Sequence, residues 1–351
     1  MTALAEILKA RIGRMGPITI AEYMTECLLH PEFGYYTTRD PLGRAGDFTT
    51  APEISQMFGE LIGLCLAQAW IDQGQPERFT LAELGPGRGT LMTDIVRATQ
   101  NVPGFLQAAE VHFVEASQTL RAHQVERVNN ATFHDSVETL PEQTLFLVAN
   151  EFFDALPIRQ FIRAENGWSE RMVGLQDDRL AFGLSNAAPL AMLDDKLGIT
   201  QVGEMIETCG PLPGTVSIVA DKIEAYGGAA LIIDYGDWGS AGDTFQAVKA
   251  HGKVDPLATP GEADLTAHVD FAAIARSATC GVSAMTPQGV FLERLGITER
   301  AQQLAKPLSG SALKSHIAAH RRLTHPDEMG HLFKVIGFHP KRANPLPGLT
   351  P

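Results

Sequence analysis

The chain has 351 residues, with 28 basic and 41 acidic side chains and a formal net charge of −13. Its 44% apolar and 20% charged residues are ordinary for a globular protein and exclude a disordered chain. The acidic balance disfavours nucleic acid and anionic lipid, which both reward clustered Lys and Arg, and leaves a cationic protein or peptide open as a partner.

At about 150 residues per domain, the length allows two domains or one with a large insertion. Cys27, Cys65, Cys209 and Cys280 form no C-x-x-C pair, so neither a disulfide framework nor a cysteine zinc site is expected, and a reducing compartment suits them. His316 and His320 could share a helix face, but no carboxylate joins them and Arg321 and Arg322 follow, so no metal is expected there. No apolar stretch approaches the ~20 residues of a membrane span. The first fifteen residues lack a secretory apolar core and read as the first helix of the fold.

Residues 1–78 read as mainly helical. Thr19 with Glu22, and Thr50 with Glu53, both fit the capping box, in which a Thr hydroxyl and a Glu three residues on satisfy orphan amides. The second box is expected to open one helix from Ala51 to Ile71. Before it lies a long polar loop ending in Gly46-Asp47-Phe48-Thr49-Thr50, a candidate functional loop.

From residue 79 short apolar runs alternate with helices, the pattern of a parallel α/β sheet buried on both faces. Strands are expected at Phe79–Leu84, Val111–Glu115, Leu145–Ala149, Ala229–Asp234 and, near the end, Leu332–Phe338. Between the third and fourth, Arg159–Ser185 alternates and breaks at Glu165-Asn166-Gly167 and at Gln176-Asp177-Asp178, which reads as a β-meander. Thr215–Tyr226 then reads as a helix. The expected organisation is a helical cap over 1–78, an α/β domain over 79–339 with an insertion at 158–214 for substrate or partner, and a Pro-rich tail over 340–351.

The most informative stretch is Glu83-Leu84-Gly85-Pro86-Gly87-Arg88-Gly89-Thr90. A strand runs straight into glycines that open a helix, where a tight turn needs unusual φ and a ligand can approach the backbone with no Cβ in the way. A dinucleotide fingerprint needs a further glycine where Thr90 stands, so a nicotinamide dehydrogenase is disfavoured. The run matches instead the first motif of Rossmann-like S-adenosylmethionine (SAM) methyltransferases, although a turn with no ligand would use the same glycines. Glu115 ends the next strand, where this topology places a ribose-gripping carboxylate. Asp135 and Ser136 fall where an adenine-contacting loop lies. Asn150-Glu151-Phe152-Phe153-Asp154 projects from the carboxyl end of a central strand, the crevice where open α/β sheets bind ligands. Asn150 as a helix cap, with acids favoured by the helix dipole, is the plain structural alternative.

Four segments together resemble the MidA family: Gly46 to Glu60, Glu83 to Thr90, Asn150 to Pro157, and Gly261 to Phe271. The similarity runs from about Ile18 to Phe338. It implies a Rossmann-like SAM methyltransferase fold with a mostly parallel seven-stranded sheet, SAM as cofactor and S-adenosylhomocysteine as product. The family's mitochondrial members are complex I assembly factors that act as protein arginine methyltransferases. The resemblance therefore implies symmetric dimethylation of an arginine on a protein client such as a NADH dehydrogenase subunit. It places the chain in the cytoplasm of a bacterium, or in the mitochondrial matrix for a mature eukaryotic form, and is compatible with a homo-oligomer.

The candidate cofactor residues are Gly46, Asp47, Thr49, Glu83, Gly85, Gly87, Gly89, Glu115, Asp135, Ser136 and Asn150, with Gly46–Thr50 closing over the cofactor and Asp264–Asp270 lining the substrate side. Glu151 and Asp154 are expected to hold the substrate guanidinium. Arginine stays protonated with delocalised lone pairs, and carboxylates beside it draw positive charge away from the attacking nitrogen. His268 is expected to be structural, since arginine attack has no urgent need of a base. The rival classes are a non-catalytic assembly factor that keeps a SAM site and a small-molecule methyltransferase.

Overall fold

The computed structural model describes residues 2–38, 49–239 and 241–351. They fall into two compact units, the larger built from 49–153, 213–238 and 269–351, the smaller from 2–38, 154–212, 239 and 241–268.

The larger unit is a sheet with helices. Its main strands are β1 (Phe79–Leu84), β2 (Ala109–Val114), β3 (Thr132–His134), β4 (Leu145–Asn150), β5 (Gly228–Asp237), β6 (Gly281–Val282) and β7 (Phe333–His339). They lie in the order β3-β2-β1-β4-β5-β7-β6. Pairing is parallel from β3 through β5, and β7 returns antiparallel between β5 and β6. Two further two-residue strands attach at Val269–Asp270 and Thr286–Pro287. This is the mostly parallel α/β sheet that the alternating apolar runs predict. Strands β1 and β4 are buried at every position, as a sheet covered on both faces requires.

The order reverses at β1, whose neighbours on either side are β2 and β4, and Leu84 is in register with both Val114 and Ala149. The carboxyl ends of three strands are therefore level at the switch point, where open sheets take ligands. Trp70, Phe79, Phe105 and Phe146 pack a fully buried aromatic cluster in the core of this unit, with ring centroids 5.0–6.2 Å apart.

The helix expected over Ala51–Ile71 is two helices, Ala51–Ile54 and α1 (Gln56–Asp72). Ser55 is extended between them, and its hydroxyl accepts from the Met57 amide at 3.2 Å, so it caps a second helix. The Thr50–Glu53 capping box does not form: Thr50 makes no side-chain cap, and the Glu53 carboxylate accepts from the Thr90 hydroxyl instead. A tertiary partner outcompetes the local one. The Thr19–Glu22 box forms as expected, with both reciprocal bonds present.

That box opens the helix Ile20–Leu29 of the smaller unit, which follows the helix Ala3–Met15. The meander is three antiparallel strands, Ile158–Ala164, Gly167–Gln176 and Arg179–Leu184. Asp177 and Asp178 both take positive φ in its second turn, the geometry that matches strand twist. Met205–Cys209 extends this sheet, and Gln246–Lys249, Gly252–Val254 and Asp264–Thr266 form another. Tyr23, Tyr35, Ile158, Val173 and Leu265 centre the core of the smaller unit. No helix is long and apolar enough to cross a membrane among the described residues.

The aromatic cluster leads to a stability prediction. Phe79→Ala should lower the unfolding free energy by about 3–5 kcal/mol, the usual cost of emptying a buried Phe site, read by urea denaturation.

Candidate functional site

Strand β1 ends in Glu83-Leu84 and turns through three glycines, all at positive φ (59°, 53° and 76° at Gly85, Gly87 and Gly89), into α2 (Thr90–Thr99). At Gly85 the constraint is double. A side chain would strain the left-handed backbone, and its Cβ would lie 2.9 Å from the Phe152 ring.

Glu83 is 3% exposed, and its carboxylate accepts from the Met92 amide in the first turn of α2. Burial, with the nearby Glu115 charge adding to it, pushes the Glu83 carboxyl well above the usual carboxylate range, against the lowering effect of the Met92 amide. The same contact has a chemical meaning. In a dinucleotide or phosphate site the amides at this helix start face an anion. Here a carboxylate of the chain takes the Met92 amide, while the Gly85 and Gly89 amides are bonded to the Val114 and Pro86 carbonyls.

Glu115, directly after β2, is 8% exposed. Its Oε1 accepts from the Ser117 amide at 2.7 Å, and its Oε2 from the Gln124 carboxamide at 3.2 Å. The same Gln124 nitrogen donates to the Gly87 carbonyl at 2.7 Å. Gln124 lies on α3 (Gln118–Arg127). Burial raises the Glu115 carboxyl above its ordinary range, opposed by Ser117, Gln124 and Arg121.

Asn150 ends β4, and its Nδ2 donates to Glu151 Oε1 at 3.0 Å. That oxygen also accepts from the Ala51 amide at 3.0 Å, so Glu151 caps the short helix Ala51–Ile54 in place of the expected Thr50. Glu151 has φ of 52°, a left-handed conformation rare in non-glycine residues and concentrated at functional sites. Phe153 follows, its amide donating to the fully buried Asp234 at 3.0 Å.

Four buried acceptors in this unit have no hydrogen-bond donor among the described residues: Gln288 Oε1, and, on elements that meet at the switch point, Glu83 Oε2, Gln124 Oε1 and Asn150 Oδ1. The last three belong to residues at the carboxyl end of β1, on the helix that follows β2, and at the carboxyl end of β4. Unmet buried acceptors carry a desolvation penalty that a donor-rich ligand relieves. SAM, with an ammonium, two ribose hydroxyls and an exocyclic amine, fits that donor–acceptor sense, and a pyrophosphate does not.

The other expected residues stand as follows. Asp135 is exposed and ion-paired to Arg121 at 2.6 Å, and Arg121 also bonds the Glu115 and His134 carbonyls. The Ser136 hydroxyl bonds Glu138 and lowers its carboxyl pKa. Thr49 is half-buried, whereas Gly46 and Asp47 lie outside the described residues. In the smaller unit, Asp154 is 7% exposed and its carbonyl accepts from the Ala267 amide at 3.0 Å. The Tyr36 hydroxyl donates to Asp264 at 2.7 Å, and burial, then the Asp264 and Asp154 charges, raise the Tyr36 phenol well above its ordinary range. His268 is exposed, and its amide donates to the Thr244 hydroxyl at 2.9 Å.

Residue type and spacing do not single out Gln124 and Asp234 as site residues. Both are polar residues at inward positions. Gln124 stands four after the buried Leu120 on one helix face, and Asp234 closes a buried apolar run, so each carried a signal in its periodicity.

Two variants check this geometry. Because burial raises the Glu83 pKa above the roughly 4.3 of an unfolded chain, the folded state holds the proton more tightly, and stability is lost as pH rises past the unfolded value. Glu83→Gln should therefore raise Tm at pH 7 relative to the native chain, and the gain should vanish near pH 4. Gly85→Ala should weaken S-adenosylhomocysteine binding by more than about tenfold in calorimetry, since left-handed strain and the Phe152 clash both displace the loop.

Residues 61–288 match a family model described as a putative S-adenosyl-L-methionine-dependent methyltransferase. The chain is 36% identical to the protein arginine methyltransferase NDUFAF7, mitochondrial, of Xenopus laevis, over 96% of this chain and 84% of that protein. Its identity to the Homo sapiens protein of that name is 35%, over 97% of this chain and 84% of the relative. Among solved structures, a likely methyl transferase from Burkholderia thailandensis bound to S-adenosyl-homocysteine superposes with a TM-score of 0.86 at 29% identity, covering 99% of this chain and 94% of that one. The glycine turn, the strand order and these similarities agree, and the chain belongs to the MidA family of S-adenosyl-L-methionine-dependent methyltransferases.

Proposed function

We propose that this chain methylates an arginine side chain of a protein, with SAM as methyl donor. The observation that carries the reading is the set of buried, donor-seeking oxygens of Glu83, Gln124 and Asn150 around the switch point of the sheet. The relatives named as protein arginine methyltransferases support the choice of acceptor.

Bound there, SAM supplies an electrophilic methyl on a sulfonium. The chain's part is to align a nucleophile with it and to exclude water. The glycine turn lets the ligand lie against the backbone, and Glu115 offers both carboxylate oxygens to ribose hydroxyls. Glu151 is the carboxylate we assign to the substrate guanidinium. Its Oε1 is already oriented by the Ala51 amide and by Asn150, so little reorganisation opposes the reaction. A carboxylate beside the far nitrogens of the guanidinium leaves the attacking nitrogen more nucleophilic.

The N-E-F-F-D spacing assigns the same charge-drawing role to Asp154, and Asp135, Ser136, Gly46, Asp47 and Thr49 keep their assignment to the cofactor. Segment 158–214 is assigned to recognition of the substrate or partner. The client we propose is a NADH dehydrogenase subunit, modified by symmetric dimethylation in the cytoplasm or the mitochondrial matrix. The net charge of −13 suits an arginine-bearing partner.

Incubation with isotopically labelled SAM and isolated NADH dehydrogenase subunits, followed by mass spectrometry, should place label on an arginine. Glu151→Gln should lower kcat about 100-fold with little change in SAM affinity. Label on another residue type, or only on small molecules, would overturn the reading. A client that still assembles when Gly87→Val abolishes SAM binding would point to a scaffolding role.

A further inference from the structure

Gln124 has no part in the function proposed above beyond offering an acceptor, yet its geometry is tightly constrained. It is fully buried, and its Nε2 lies 2.7 Å from the Gly87 carbonyl oxygen and 3.2 Å from Glu115 Oε2. Both neighbours are pure acceptors. The carboxamide can therefore take only one orientation, with its two N–H groups spent on them and its oxygen turned away.

We propose that Gln124 is a positioning residue of the cofactor site: one carboxamide ties the glycine turn after β1 to the carboxylate after β2 and sets the separation between them. The inference rests on the reading of Glu115 as the ribose ligand. Two features make such a tie necessary. Gly87 sits at φ 53° between two other left-handed glycines, a stretch of backbone with more freedom than any side-chain-bearing run. The Ser117 and Ala116 amides and Gln124 all donate to Glu115, and Gln124 is the donor at Oε2, the oxygen it aims toward a ribose hydroxyl. Without Gln124 the second oxygen has no fixed direction and the turn loses its anchor to α3.

A leucine or methionine fills the same space and keeps the packing, but donates nothing. A merely structural Gln124 would tolerate that exchange, or would weaken every ligand equally. A positioning Gln124 would not.

The test is calorimetry of S-adenosylhomocysteine and its 2′,3′-dideoxy analogue, from pH 5 to 9, on the native chain, Gln124→Leu, Gln124→Met and Glu115→Gln. Circular dichroism checks folding, and the methionine variant stands in if the leucine variant does not fold. The native chain should prefer the ribose-bearing ligand, and Glu115→Gln should lose that preference. Gln124→Leu should weaken S-adenosylhomocysteine about tenfold and the dideoxy analogue much less. It should also move the acid limb of binding to higher pH. Glu115 then loses a donor while burial, in a site it shares with Glu83, favours its protonation, opposed by the Ser117 amide, Arg121 and the Ala116 amide. A native preference and native acid limb in both Gln124 variants, with the preference lost in Glu115→Gln, would overturn this inference and leave the ribose assignment standing. A preference retained in Glu115→Gln would overturn the ribose assignment itself.

Discussion

A carboxylate buried against a helix N-terminus is the constraint on which the larger unit turns. Glu83, next to the end of β1, lies inside the protein, takes the Met92 amide, and has one oxygen with no donor among the described residues. Burying it so close to Glu115 opposes folding, and the apolar core on the faces of the sheet must offset that cost. The arrangement has a selective effect. At a helix start that elsewhere faces phosphate, the Met92 amide is already taken by the chain's own acid before any ligand arrives. Thr90 stands where a dinucleotide fingerprint has a glycine, and its hydroxyl is drawn into a bond to Glu53 while accepting one from Arg127.

A second local cost lies at the end of β4. Glu151 keeps a left-handed backbone while its carboxylate caps a four-residue helix and receives the neighbouring Asn150. Each bond is modest, but together they hold an acid in one direction before any ligand arrives. Preorganisation of this kind is what electrostatic catalysis draws on, because no dipole has to turn during the reaction. The strain and the capping are therefore parts of one device.

How far the sequence reveals all this depends on the range of the interaction. Strands β1 and β4 are legible because a strand buried on both faces reads as a nearly continuous apolar run, broken here only by Thr80, Glu83 and Asn150. The meander is legible because Asp177 and Asp178 accept the positive φ its turn demands. The glycine turn and Glu115 are legible by type and spacing. The break at Ser55 is not, since a flawless capping box at Thr50 and Glu53 yields to Thr90, a partner 37 residues away in sequence. Gln124 is not either: its inward face can be read from helix periodicity, but its two acceptors come from a different turn and a different strand end. Local propensity predicts elements, and tertiary hydrogen bonds decide which side chains are already taken.

The smaller unit is drawn from three separate stretches of the chain. The polypeptide leaves the sheet-bearing unit after Phe153, just past β4, and again after Trp238, just past β5, and each time it comes back. Neither unit can thus be inherited, exchanged or grafted as a single cassette. A recombination event that moved one would have to respect several junctions at once, two of them within four residues of the carboxyl ends of neighbouring strands. The ancestry of the two units is bound together by the path of the chain, whatever each contributes to the chemistry.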